Sequence, residues 1–244
     1  MLDFFLFLTL FFGVPLLLLY IFLAPVIRTF TPRIFYQPSV QALIAANAYT
    51  LLGVIFLDWS LFNVICLFWL ENIIVGFFNV LRMRRAQGPL TGMELNGKTY
   101  TREKRPTLIR FFLLHYGGFT FVHGVFVFTL FGSNGMSLAE IAGIASGFIA
   151  LFISHRFSYV ENYIGKKEYH NVSEEVLFTE PYTRMMVLHM TVIIGGIFAG
   201  AGAASVFAVV LLIILKTVLD VMYHIRERKE FSHAVFLSTK ESPL

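Results

Sequence analysis

His115 stands in "FFLLHYGGFTFVHG", residues 111–124, where the only other ionisable side chain besides Tyr116 is His123. A polar ring in such surroundings costs free energy unless something binds it. His189 sits in a second apolar run, "VLHM", and Asp220 and His224 stand four apart in a third, "LDVMYH". An i, i+4 pair projects from one face of a helix. His115 is five residues from Arg110, and His189 is five from Arg184. At a helical rise of ~1.5 Å per residue, both lie about 7–8 Å inside those arginines. Asp220 lies about 9 Å inside Arg226 and His224 about 3 Å inside it. Three imidazoles and one carboxylate at shallow depth on three helices form a ligand set suited to zinc, or to iron or manganese where a position stays open. A metal would also remove the cost of placing His115 in oil. Each residue has a plainer account too: a histidine bonded to a neighbouring helix, or Asp220 paired with Lys216 or Arg226.

Deeper in the chain's apolar runs lie Glu71, eleven residues from Arg82, and Lys216, ten from Arg226. Both come out about 15–16 Å in, near the middle of a bilayer. An isolated charge there costs roughly 2.5–3.5 kcal/mol. Opposite signs at one depth predict an ion pair between the third and seventh spans. Asn72 and Asn79 share a face of the third span and are expected to line the same interior. His123, about 20 Å deep by the same count, is expected to bond within the core or to Glu71. His155 beside Arg156 reads as interfacial, with a role as a fifth ligand the alternative. Arg184, with Tyr182 and Tyr223, borders the metal layer, where a lipid headgroup could bind, although snorkelling is the simpler role for the arginine. His170 lies in a polar loop with Glu168, Glu174 and Glu175, and His233 in the tail.

The elements that must hold these residues follow from composition. The chain has 244 residues, 57% hydrophobic and 14% charged, against roughly a quarter charged in soluble domains. Apolar runs near the ~20 residues needed to cross a bilayer recur along it. The expected fold is all-α and polytopic, with spans at about 3–24, 38–57, 61–82, 108–131, 137–160, 181–199 and 203–225. These form one transmembrane domain over 1–230, followed by a cytoplasmic tail, 231–244. The run after Met-Leu-Asp reads as an uncleaved first span, and Pro181 as a helix start. Alternate connections are basic: "VIRTFTPR" (26–33), the arginine-rich segment 82–110, the loop 156–184 and the tail "HIRERKE". The connections "DWS", "GSNGMS" and "AGAGAA" carry no basic residue. Basic connections stay in the cytoplasm, so the N-terminus is expected outside and the C-terminus inside a plasma (inner) membrane. Within 82–110, the Asn-Gly of "GMELNGKTYT" predicts a hairpin. "NVS" at 171–173 reads as a chance glycosylation match. "GIASG" and "GIFAG" suit close helix packing. The net charge of +4 concerns orientation rather than nucleic acid. The single Cys66 permits no intrachain disulfide.

"FWLENIIVGFFNVLRM", "FFLLHYGGFTFVHGVFVF", "EPYTRMMVLHMTVIIGG" and "LKTVLDVMYHIRERKEF" resemble the integral membrane family known as domain of unknown function 6498, over about residues 40–230. That resemblance implies a membrane location and brings no activity. The site type is similar to that of the alkaline ceramidases and adiponectin-type receptors, in which seven helices hold zinc through three histidines, with an Asp and a Ser nearby. Here Phe111 and Leu114 surround His115 in place of a Ser-x-x-x-His, and Asp220-x-x-x-His224 replaces a C-terminal His-x-x-x-His.

Three functions compete. A metal-dependent hydrolase would use metal-bound water, with Asp220 or Glu71 as ligand or general base. Its substrate would be a lipid or amphiphile entering from the membrane. A proton- or ion-coupled transporter would use Glu71, Lys216 and His123 as a charge relay. Haem held by His115 and His189 is the third.

Overall fold

In the computed structural model, which describes residues 38–95, 97–132, 136–200, 209–210, 212–218 and 221, two serines fix where long helices begin. Ser60 Oγ accepts the Asn63 N–H at 3.4 Å while Asn63 Oδ1 accepts the Ser60 N–H at 3.2 Å. Ser137 and Glu140 repeat this reciprocal cap at 3.2 and 2.9 Å. Each pair satisfies amide groups that the first helical turn cannot. The helices that follow are α2, Leu61–Arg85, and α4, Leu138–Ser158, the latter continuing as a π turn through Gly165. Around them stand α1, Pro38–Phe56, α3, Arg105–Phe131, and α5, Glu174–Gly200. A last helical stretch is described over 212–218.

α2 is the central helix and packs against α3, α4 and α5. Its contacts give the directions of its neighbours. Phe62 meets Phe128, Trp69 meets Thr120 and Tyr116 meets Asn72, so α3 runs antiparallel to α2. Asn63 meets Glu140 and Phe78 meets Tyr159, so α4 runs parallel to it. Asn79 meets Leu177 and Glu71 meets Arg184, so α5 is antiparallel. Glycines allow the closest approaches. The Trp59 ring is wedged so tightly that a Cβ on Gly53 or Gly143 would strike it.

Leu114, Phe121 and Leu138 are 77%, 70% and 86% exposed, on helices whose outward faces are otherwise apolar. Such faces suit lipid and not water. Leu61–Arg85, Arg102–Phe131 and Leu138–Gly165 are each long and apolar enough to cross a bilayer, as befits a membrane protein. The expected first span and the tail lie outside the described residues.

One expectation changes. The helix expected to start at Pro181 starts seven residues earlier, at Glu174, where Ser173 Oγ accepts the Val176 N–H at 3.3 Å. The Ser of "NVS" is therefore a buried helix cap. Pro181 lies inside the helix and cannot donate to the carbonyl of Leu177 four residues back. Asn79 on α2 supplies the missing donor, its Nδ2 lying 2.8 Å from that carbonyl.

The basic segment after α2 is a folded cap. The predicted hairpin forms between β1, Glu94–Leu95, and β2, Lys98–Thr99, with Gly97 at φ 68° in its turn. Glu175 accepts from the Thr91 hydroxyl at 2.7 Å and the Met93 N–H at 2.9 Å. Glu174, fully buried, accepts Nε of Arg105 at 2.6 Å and Nε of Arg102 at 3.1 Å. The first turn of α5 thus clamps the hairpin.

Candidate functional site: a buried charge cluster around Glu71

The heart of the bundle is polar at one height. Glu71 on α2 is 3% exposed. Its Oε2 lies 2.5 Å from Lys216 Nζ, the ion pair that opposite charges at matching depth predict. The Lys216 ammonium also sits over the Phe68 ring, 4.6 Å from its centroid, a further stabilising contact for a desolvated cation. Oε1 faces two more basic groups, His155 Nε2 on α4 at 3.4 Å and Arg184 Nη1 on α5 at 3.9 Å. The His155 ring stacks on Phe78, which fixes its plane. α3 contributes Tyr116, whose hydroxyl donates to the Asn72 carbonyl at 2.9 Å. Tyr116 can enter because residue 76 is glycine: a Cβ there would stand 2.7 Å from the ring. Asn72 in turn donates to the Phe68 carbonyl at 2.9 Å.

One carboxylate therefore gathers basic side chains from three other elements. Taken singly, each charge would be expensive in a bilayer; together they offset one another. His155, expected at the interface, belongs to this cluster. So does Arg184, expected at the membrane boundary. The counting that separates them assumes that the arginine nearest each helix end marks the boundary. Arg82, the marker for α2, is instead drawn inward, bonded to Glu180 at 2.5 Å and lying over the Tyr163 ring.

The same error moves the histidines. His115 Nδ1 is 2.7 Å from the Tyr182 hydroxyl, and His123 Nε2 is 3.0 Å from His189 Nδ1. α3 and α5 therefore run parallel, with 115 level with 182 and 123 level with 189. His115 and His189 are offset by about 10 Å along the axis, two helical turns. They do not share a layer, and no single metal or haem iron is bracketed by both. His115 is exposed on the outer face of α3, between the rings of Phe111 and Phe119. His123, expected to bond within the core or to Glu71, bonds to His189 and, through Nδ1, to the Phe119 carbonyl at 2.7 Å. Asp220 and His224 lie outside the described residues. Among the described residues no three His, Cys, Asp or Glu side chains are grouped as a metal site requires.

Tyr116 gives no signal in the sequence, since a tyrosine in an apolar run reads as core. His155 beside Arg156 reads as interfacial, and only the packing of α4 on α2 brings it to Glu71.

No curated protein and no solved structure matches the chain. What the motifs around Glu71, His123, Arg184 and Lys216 do share is a family: the model for DUF6498, a family of unknown function, matches residues 29–235, which include all four, and the chain belongs to it.

Proposed function

We propose that the protein is a proton- or ion-coupled membrane transporter whose coupling group is Glu71, set in a plasma-membrane bundle of about seven spans with the N-terminus outside and the C-terminus cytoplasmic. The alternation of basic and neutral connections supports the topology, and so do the alternating directions of α2, α3, α4 and α5. The observation that carries the functional reading is the convergence of Lys216, His155 and Arg184 on one carboxylate. Each partner sits on a different element. A proton arriving at Glu71 removes the charge that holds all three, so the elements carrying them lose a common tether at once. Carboxylates inside a membrane commonly serve such relays, and a bistable set of helices is what coupling needs.

The test is charge displacement after a pH jump, recorded from full-length protein in vesicles adsorbed on a solid-supported membrane. Wild-type protein should give a transient current, and Glu71→Gln should lose it while keeping its helical circular dichroism. A silent wild type, or a Glu71→Gln variant with an undiminished current, overturns the reading.

A second reading keeps a metal-dependent hydrolase acting on a lipid or amphiphile, with zinc on His189, Asp220 and His224 and without His115. It is favoured by one observation: His189 Nδ1 is held by a hydrogen-bonding partner of its own, as the non-ligating nitrogen of a metal-binding imidazole generally is. Elemental analysis showing one zinc per chain, lost in His189→Ala, would select it.

A further inference from the structure

At the end of α2 that carries Arg82, Arg84 and Arg85, the acids of α5 are committed. Glu180 holds Arg82, Glu174 holds Arg102 and Arg105, and Glu175 takes the Thr91 hydroxyl and the Met93 N–H. Arg84 on α2 and Arg110 on α3 are exposed, and neither side chain has an ion pair, hydrogen bond or ring contact among the described residues. Each arginine ends an apolar stripe. Phe77 and Ile73 precede Arg84 by seven and eleven residues, so the three share one face of α2. Those two apolar side chains are 51% and 41% exposed. Leu113 and Gly117 follow Arg110 by three and seven residues on α3. Leu113 is 54% exposed, and a Cβ at Gly117 would meet nothing within 4 Å. α2 and α3 meet along Asn72, Gly76 and Tyr116, and α5 packs on one side of that seam, against Asn79 and His115. The two stripes lie on the other side. An open apolar groove therefore follows the outside of the seam, with one unpaired arginine from each helix at its basic end. From Arg84 to Ile73 it runs about 16 Å, close to half of the ~30 Å hydrocarbon core of a bilayer. That is the depth of one leaflet.

We propose that this groove seats one anionic glycerophospholipid, its phosphate held between Arg84 and Arg110 and an acyl chain lying along Phe77, Ile73, Leu113 and Gly117. The site stands apart from the Glu71 cluster and does not depend on how that cluster is read. Guanidinium groups match a phosphate with paired N–H donors. Tyr116 meets Asn72, so Arg110, six residues back along the antiparallel α3, stands level with about residue 78 of α2. Arg84 lies about 9 Å beyond that level, a gap that two arginine side chains reaching toward each other close around one phosphate. Two guanidiniums without a protein acid call for a headgroup of net negative charge, whereas a zwitterionic headgroup brings a cation of its own. The exposed apolar length below them calls for an acyl chain, which a free phosphate lacks. Glycine inside a helix is unfavourable relative to alanine, and among the described residues no protein neighbour uses the space at Gly117. A lipid chain fills it.

The test is native mass spectrometry of full-length, delipidated protein in detergent micelles, titrated with dioleoylphosphatidylglycerol or dioleoylphosphatidylcholine. The anionic lipid should bind more tightly, its first copy saturating at one per chain. Arg84→Gln and Arg110→Gln should each weaken that copy about fivefold, the scale of one basic residue at an anionic lipid surface. Arg85 is equally exposed and unpaired among the described residues, but it projects about 100° round the helix from Arg84, so Arg85→Gln should leave binding unchanged. Gly117→Leu places a side chain in the groove where its Cβ meets no protein atom. It should weaken the anionic lipid while the helical circular dichroism stays that of the wild type. Inorganic phosphate should not displace the lipid. Equal binding of the two lipids overturns the proposal. So does an Arg85→Gln loss as large as that of Arg84→Gln, which would mean diffuse attraction and not a site. Undiminished binding in Gly117→Leu, or displacement by phosphate alone, overturns the acyl groove.

Discussion

Pro181 sits two turns inside a helix that a proline should break, and Asn79 is the reason it does not. The carbonyl of Leu177 has lost its i+4 donor to the pyrrolidine ring, and the Asn79 amide replaces that donor from the neighbouring helix at 2.8 Å. Asn79→Leu keeps the volume of the side chain and deletes the donor. A buried carbonyl left without a partner costs about 1–3 kcal/mol, while hydrogen bonds between membrane helices have measured at about 0.6 kcal/mol on average and about 1.7 at most. Asn79 Oδ1 is itself buried and makes no hydrogen bond among the described residues, so its removal returns part of the loss. The expected net cost is about 1 kcal/mol. Pro181→Ala restores an N–H within reach of Leu177, so the same Asn79→Leu change in that background should cost close to nothing. The four proteins of this cycle can be compared by SDS titration in mixed micelles, followed by circular dichroism. A coupling energy of about 1 kcal/mol is expected, within the usual range for contacting residues. If Asn79→Leu costs the same in the Pro181→Ala background as in the wild type, the two residues are independent and the account of this helix is wrong.

Glu174→Gln should release the hairpin cap, because Arg102 and Arg105 both bond to its carboxylate. The carboxylate is buried but Arg102 and Arg105 are 41% and 23% exposed, so the cost falls below the roughly 3–5 kcal/mol of a fully buried pair, and limited proteolysis within residues 86–104 should accelerate while α2 stays protected. Tyr100 supplies a pH dependence. Burial, reinforced by the negative charge of Glu174, pushes its phenol up to about 12 from an ordinary value of 10. The folded chain thus holds that proton more tightly than the unfolded one, so the stabilisation is complete below pH 10 and lost as pH rises through 12. The protection of the hairpin amides, with the intrinsic base-catalysed rise of exchange with pH divided out, should fall across that interval in the wild type and not in Tyr100→Phe. The hydroxyl makes no hydrogen bond among the described residues, so Tyr100→Phe should be neutral or slightly stabilising at pH 7.

Much of the architecture is legible in the sequence because it rests on local chemistry. Ser60 and Ser137 stand immediately before long apolar runs, and Asn-Gly lies between β-type residues, so two helix starts and the hairpin can be read directly. The ion pair of Glu71 and Lys216 is legible for a different reason: two opposite charges in the deepest parts of two apolar runs leave each other as the cheapest partner. The start of α5 is not legible. Glu174, Glu175 and Glu180 make residues 174–180 look like solvated loop, yet each acid is taken by an arginine or by hairpin amides contributed by residues 82–105. Only the tertiary fold shows that those charges are satisfied.

The histidines illustrate where depth counting fails. Counting inward from an arginine works if the arginine lies at the membrane surface. Arg110 is exposed, but Arg184 is half-buried and reaches toward Glu71. Using both as equal rulers shifts α5 by about two turns against α3, which places His115 and His189 at one height and creates a metal layer from a misplaced origin. A cation inside a bundle is a poor ruler because it is there for its partner. The carboxylate is the better reference: once Glu71 is the origin, Lys216, His155, Arg184 and the Asn72–Tyr116 bond fall at one level, and the His123–His189 pair falls at the next. Two polar levels in register, one around the Glu71 carboxylate and the other at the His123–His189 pair, are what that choice of origin makes visible.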